Sequence, residues 1–200
     1  MIPKSVGAYS EVSRQLLLQS SPSADALVQT DLAAVLATAV DLAVLNGSGA
    51  GGQPLGIIGT AGIGGVTGTS IAYAGILEFQ SDTAGGNALF DASGYVTTPV
   101  IAALLKARVK FTSTASPIWE GKLLEGSVDG YRAMASLQVP TGDILFGDFS
   151  KVILAQWGVL QVEVNPFANF QAGIIGIRAM YSVDVGVRYA AAFSLATSVT

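Results

Sequence analysis

The chain contains neither cysteine nor histidine in its 200 residues. Without them there is no Ser-His or Cys-His nucleophile pair and no zinc site built on those side chains. Disulfides are excluded as well, which fits a reducing compartment. Charge is equally scarce. Only 12% of the residues are Asp, Glu, Lys or Arg, about half the ~25% usual for a soluble domain. From Leu32 to Leu77 the sole charged residue is Asp41. The net charge of −4 is the wrong sign for a dedicated nucleic-acid-binding domain.

Half of the residues are hydrophobic, and a chain of this length can bury a real core. Two readings follow: a weakly charged globule, or a chain whose surface is covered by other copies of itself. The second is preferred, because the centres of protein interfaces are depleted of charge. No membrane span is expected. The most apolar helical stretch, Leu32 to Leu45, is short of the ~20 residues a span requires and contains Asp41. No secretory signal opens the chain.

Local patterns predict an α+β fold, with helices early and antiparallel strands late. Residues 1 to 10 read as extended, and "SEVSRQLLLQS" (10 to 20) as a short helix. Ser21 can cap a second helix, with Pro22 at its first position, where a missing N–H costs nothing. A 3.6-residue period from Leu27 to Ala43 carries that helix from about 22 to 45. Asn46-Gly47 ends it, with Gly47 suited to a left-handed cap. Further helices are expected from about 72 to 83 and over "PVIAALLKARVK", the latter capped by Thr98. "SGYVTTP" reads as a buried strand, and Ile175 to Val187 as a long strand with a regular two-residue alternation.

The segment "LNGSGAGGQPLGII" (45 to 58) contains Gly47, Gly49 and Gly52 in the G-x-G-x-x-G spacing. A nucleotide-dependent enzyme would use such a loop between a strand and a helix, with the phosphates on that helix's N-terminus. Here the loop follows a helix, Pro54 comes next, and no acidic residue stands about 20 positions on. The loop therefore reads as a turn that stops a helix. Lys106, Arg108 and Lys110 read as a solvated helix end. Asp148, in "LFGDFS", is either a catalytic or metal-binding carboxylate or a cap for the next segment, with Gly147 making the turn. The cap is preferred, because no third carboxylate stands at a Ca²⁺-loop spacing. Glu120 and Glu125 have nothing to place them across a cleft. No catalytic, cofactor-binding or metal-binding residue is assigned.

Several strings then stand in one order: "SEVSRQLL", "LAVLNGSGAGGQPLGI", "GYVTTPVIAALLK", "PIWEGKLLEG", "VPTGDILFGDFS" and "IRAMYSVDVGVRYAAAF". Together they resemble the major capsid proteins of tailed bacteriophages and prophages, the Hong Kong 97-type fold. The resemblance implies a structural shell subunit and no enzyme. It implies a spine helix within residues 1–46, an axial domain over most of 47–165, and a peripheral β element with a return strand over 166–200. The loop around Thr112 to Ser127 would then lie near a capsomer axis, with Trp119 either a hinge anchor or an inter-subunit contact and Glu120 and Lys122 at a possible subunit interface. The implied partners are other copies of the chain, with scaffold, portal and packaged DNA reached through the assembled shell; the implied place is the virion, assembled in the bacterial cytoplasm. An encapsulin-like cargo shell is the alternative on the same fold. Members of the family carry an N-terminal arm and a β-hairpin loop before the spine helix, for which some twenty residues leave no room. The expectation is that the isolated chain stops at a monomer or small oligomer.

Overall fold

A computed structural model describes residues 1–15, 23–88, 92–111, 115–169 and 171–200, and the side chains of 23–27 are not described. The expected cap at Ser21 lies outside the described residues. Two sheets organise the chain. The first has the order β1-β9-β8, built from β1 (Lys4–Ser13), β8 (Val152–Asn169) and β9 (Ile174–Val187), all antiparallel. The second has seven strands in the order β2-β10-β7-β3-β6-β5-β4. They are β2 (Gly64–Thr67), β3 (Ser93–Thr97), β4 (Trp119–Gly121), β5 (Glu125–Val128), β6 (Tyr131–Ala135), β7 (Ile144–Asp148) and β10 (Phe193–Thr197). Among the described residues, three helices are followed along their length: α1 (Ser23–Asn46), α2 (Tyr73–Gly85) and α3 (Pro99–Ala107).

The main core lies on one face of the seven-stranded sheet. Ile76 and Phe79 of α2, with Ile101 and Leu105 of α3, pack on Tyr95, Ala133, Ile144 and Phe146. On the opposite face Leu145 joins Ile57, Ala88, Ala192 and Phe193, and the end of α1 reaches this cluster through Val44 and Leu45. Strand β7 is thus covered on both faces, and all five of its residues are buried. This is why "ILFGD" reads as a continuous run without alternation. In the three-stranded sheet, Leu32 and Leu36 of α1 pack on Ala179, Ile177, Val6 and Ala8.

Several local expectations are corrected. Ser10 to Ser13 form the end of β1, because every residue of Lys4–Ser13 is in register with β9. At these four positions the two-residue alternation that ends at the buried Val12 wins over the helical reading, while Arg14 and Gln15 are helical and residues 16–20 lie outside the described residues. Helix α3 stops at Ala107. Arg108 is extended (φ −87°, ψ 140°) and its guanidinium donates to the carbonyl of Ile71. Lys106 is the exposed cation expected in the last turn of α3, where its Nζ also donates to the Gly121 carbonyl, but Arg108 and Lys110 lie beyond the helix, and Lys110 pairs with Glu120. Thr98 is the N-cap residue of α3, yet its buried Oγ1 has no partner and makes no capping bond. Gly158 does not end a strand. With φ +77° it sits in a bulge through which β8 continues. The 165/166 boundary falls inside β8, and the return strand β10 pairs with β7 and β2 in the seven-stranded sheet.

Candidate interaction surface

The glycine segment is built by close approach. Gly47 has no positive φ, so it is not the expected left-handed cap. A Cβ on it would stand 2.3 Å from the Pro54 carbonyl oxygen and 2.6 Å from that of Ala43. The loop folds back on the helix end through Gly56 N–H to Gly47 O (2.9 Å), Ile57 N–H to Val44 O (2.8 Å) and Ile58 N–H to Leu45 O (3.1 Å). The positive φ values lie further on, at Gly49, Gly51 and Gly52. Beside this loop is a cavity of 470 Å³ lined by Lys4, Ser5, Ala43, Asn46 and Gln53, among others. Its ammonium group, that of Lys4, is 3.3 Å from the Asp184 carboxylate. The loop also caps the C-terminus of α1, where the helix dipole presents partial negative charge. A phosphate would meet the wrong end of the helix, and the nucleotide reading fails on polarity.

Asp148 caps the 3₁₀ turn Phe149–Lys151, accepting a hydrogen bond from the Ser150 N–H at 2.9 Å, with Lys151 Nζ 3.4 Å away. Gly147 does not make that turn. It lies within β7 because a Cβ there would meet the Ala192 carbonyl at 2.4 Å and the ring of Phe193 at the same distance. Burial pushes the Asp148 carboxyl up, but the Ser150 hydrogen bonds and Lys151 outweigh burial and hold it below the ordinary value of 3.8. Its folded value being depressed, its contribution to stability is present above the unfolded value and is lost as pH falls through the folded one. Asp148→Ala is expected to cost about 1 kcal/mol near neutral pH. Thermal melting should show the variant's deficit shrinking toward zero at the acid end of the carboxylate range.

The expected contact residues separate. Trp119 is fully buried in the main core, and its Nε1–H donates to the Lys122 carbonyl at 2.7 Å. It has no surface to offer a neighbour, and the loop's turn-rich composition hid its core position. Glu120 and Lys122 are exposed on the β4–β5 hairpin, followed by exposed Leu123 and Leu124. Glu120 accepts from Lys110 Nζ at 2.9 Å, and Glu125 pairs with Arg132 at 2.8 Å, so these two carboxylates do not face each other as an acid–base pair. Among the described residues no three metal-ligating side chains come together.

The larger uncovered surface was only partly visible in the sequence. Helix α1 is apolar on nearly all sides, yet Leu32 and Leu36 are the buried hydrophobic residues in its described part, and Val35 is 57% exposed. Residues Val28–Asn46 are long and apolar enough, by length and composition, to cross a membrane, which corrects the shorter estimate from the sequence. That window has only 17% of its residues buried. Next to it β8 forms the sheet edge. Val159 is 75% exposed, Val164 61% and Phe167 71%. Val162 and Val164 are in register with Ala179 and Ile177 and share their face of the sheet. Helix α1 packs over β1 and β9 and leaves that part of β8 bare. The result is an apolar groove of 520 Å³ between Ala33, Leu36, Ala37 and Val40 on one side and Leu154 and Leu160 on the other. It continues past Leu160 and Val162 into a second pocket of 330 Å³.

A largely apolar helix with one face covered and a long apolar edge strand are features of a surface completed by another chain. Comparison with known proteins gives the family. The phage capsid family model matches residues 1–198. The major capsid protein of Halomonas phage phiHAP-1 is 30% identical over 195 residues, which is 97% of this chain and 32% of that protein. The chain thus spans about a third of that relative's length. Among solved structures, the capsid of an empty GTA particle superimposes with a TM-score of 0.72 at 18% identity, covering 99% of this chain and 72% of the other. Gordonia phage Cozz gives 0.70 at 17% identity, covering 98% of this chain and 70% of the other. The SrpI encapsulin of Synechococcus elongatus gives 0.72 at 14%, covering 99% and 74%. At these identities the structures establish the shared fold, while the sequence match extends over nearly every residue described above: the chain belongs to the phage capsid family, a family of structural proteins.

Proposed function

We propose that this chain forms the shell-building part of a phage or prophage major capsid protein, a virion component that associates with copies of itself. The observation that carries this reading is the uncovered apolar surface of α1 and β8 on a chain that matches the family over residues 1–198. Helix α1 and the three-stranded sheet supply the peripheral lobe, with α1 as its spine. The seven-stranded sheet with α2 and α3 supplies the axial lobe. In this reading the β4–β5 hairpin, with Glu120 and Lys122 at its surface, meets a neighbouring copy. Scaffold, portal and packaged DNA are partners of the assembled shell. The encapsulin-like alternative has fold likeness in its support and no comparable sequence match.

Sedimentation velocity over a range of concentrations tests the reading. The expected result is a monomer in reversible equilibrium with small oligomers, its average mass rising with concentration. Val162→Lys and Val164→Lys place an ammonium group on the exposed side of β8 and should lower that mass. Their own stability should stay within about 0.5 kcal/mol of wild type, as for other surface changes. A strictly monomeric chain at every concentration, indifferent to both substitutions, would count against the proposal.

A further inference from the structure

The β5–β6 turn is Asp129-Gly130, with φ of +52° and +84° between the paired residues Val128 and Tyr131. Two successive positive φ values define the tight hairpin turn whose twist matches the flanking strands. Asn-Gly, Asp-Gly and Gly-Gly all serve this turn, so the turn admits the aspartate without singling it out. Its carboxylate has a second task. Tyr73 Oη donates to Oδ1 at 2.7 Å and Gln80 Nε2 donates to Oδ2 at 3.1 Å. Both donors stand on α2, seven residues apart and hence on one face of the helix. Gln80 Nε2 also lies 3.2 Å from the Tyr95 hydroxyl, which in turn donates to the Ile76 carbonyl at 3.1 Å. Both oxygens of the carboxylate are thus tied to one helix, which is anchored in the main core through Ile76 and Phe79.

A second link runs parallel to the first. The Tyr73 ring packs edge-on against Phe111 at 5.3 Å, Lys110 Nζ lies 5.9 Å from its centroid, and Lys110 pairs with Glu120 of β4. Strands β6, β5 and β4 form the outer end of the seven-stranded sheet, and β4 is its last strand. Their hairpin carries the exposed Lys122, Leu123 and Leu124. We propose that Asp129 is the positioning residue for this hairpin: by bridging the β5–β6 turn to α2 it sets the direction in which Glu120 to Leu124 project toward a neighbouring copy. The inference rests on the reading of that hairpin as a subunit contact. The hydrogen bond from Tyr73 holds the Asp129 carboxyl below its ordinary range despite partial burial, with Gln80 and Lys110 acting the same way. The group is therefore an ionised acceptor at neutral pH, suited to two donors at once.

The test combines amide hydrogen exchange with sedimentation velocity on the full chain. Asp129→Gly keeps a residue that adopts positive φ without strain and removes both acceptor oxygens. Tyr73→Phe keeps the ring and removes one donor, so it reports on the same link should the glycine variant fail to fold. For Asp129→Gly the expectation is exchange about 10-fold faster at the amides of residues 119–128, while the α3 amides keep their wild-type protection. Tyr73→Phe should move the same amides in the same direction by less. The association constant measured by sedimentation should fall in the same order. Tip exchange within twofold of wild type in both variants would overturn the proposal, as would a uniform rise across the whole chain. Faster tip exchange with unchanged association would support the bridge but overturn the hairpin's role as a subunit contact, which separates the two ideas.

Discussion

Replacing Gly47 with valine should leave no cooperatively folding protein. The added Cβ would sit 2.3 Å from the Pro54 oxygen and 2.6 Å from the Ala43 oxygen, both of them backbone atoms. No side chain can rotate away to relieve this. Relief requires the last turn of α1 and the returning loop to separate. That breaks the hydrogen bonds from Gly56, Ile57 and Ile58 to Gly47, Val44 and Leu45. It also detaches Val44, Leu45 and Ile57 from the cluster around Phe193. The expected cost exceeds about 4 kcal/mol, a large part of the roughly 5–15 kcal/mol by which a domain is stable. Soluble yield and circular-dichroism melting provide the measurement. Gly47→Asn decides the cause. A left-handed cap accepts asparagine, whereas a site of close approach rejects any Cβ. A near-wild-type melting temperature for the asparagine variant would sink the close-approach explanation.

The second large effect is expected at Trp119. Trp119→Ala removes the largest fully buried side chain in the protein, packed in the cluster that holds Ile118, Val128 and Leu105. It also removes the hydrogen bond from Nε1 to the Lys122 carbonyl. Loss of a buried tryptophan costs about 3–5 kcal/mol, which for a chain of this size lowers the melting temperature by roughly 6–20 °C. Trp119→Phe should recover most of the packing but not the hydrogen bond. The fit is tight: a Cβ on Gly126 would lie 2.6 Å from Nε1 and 2.2 Å from the Glu120 carbonyl. A melting temperature for Trp119→Ala within a few degrees of wild type would contradict the core assignment and return Trp119 to the surface.

The two predictions mark where sequence reasoning succeeded and where it stopped. The need for glycine at position 47 was legible from the end of a long apolar helix followed by a glycine-rich loop. The reason was not, because the Pro54 oxygen approaches only after the loop has turned back. Trp119 stood among turn-forming residues in "TASPIWEGKLLEG", which reads as exposed until β4 and β5 pair and enclose it. The cap at Asp148 was legible because it is local, acting over two residues. The bridge from Asp129 to Tyr73 and Gln80 was not, since it joins positions 56 and 49 residues apart.

By itself the sequence determined the class of the molecule. The lack of histidine and cysteine removed whole families of chemistry, and sparse charge on a half-hydrophobic chain pointed to surfaces met by protein. The long period of α1 and the alternation of β9 set the two largest elements, because such periodicity is a property of the chain itself. Only the tertiary structure decided which of these apolar surfaces are buried and which stay bare. Alternation places Val162 and Val164 on one face of β8, but it does not say whether a helix lies over them. Burial depends on what stands opposite, and here α1 lies over β1 and β9 and leaves the face of β8 beside it open.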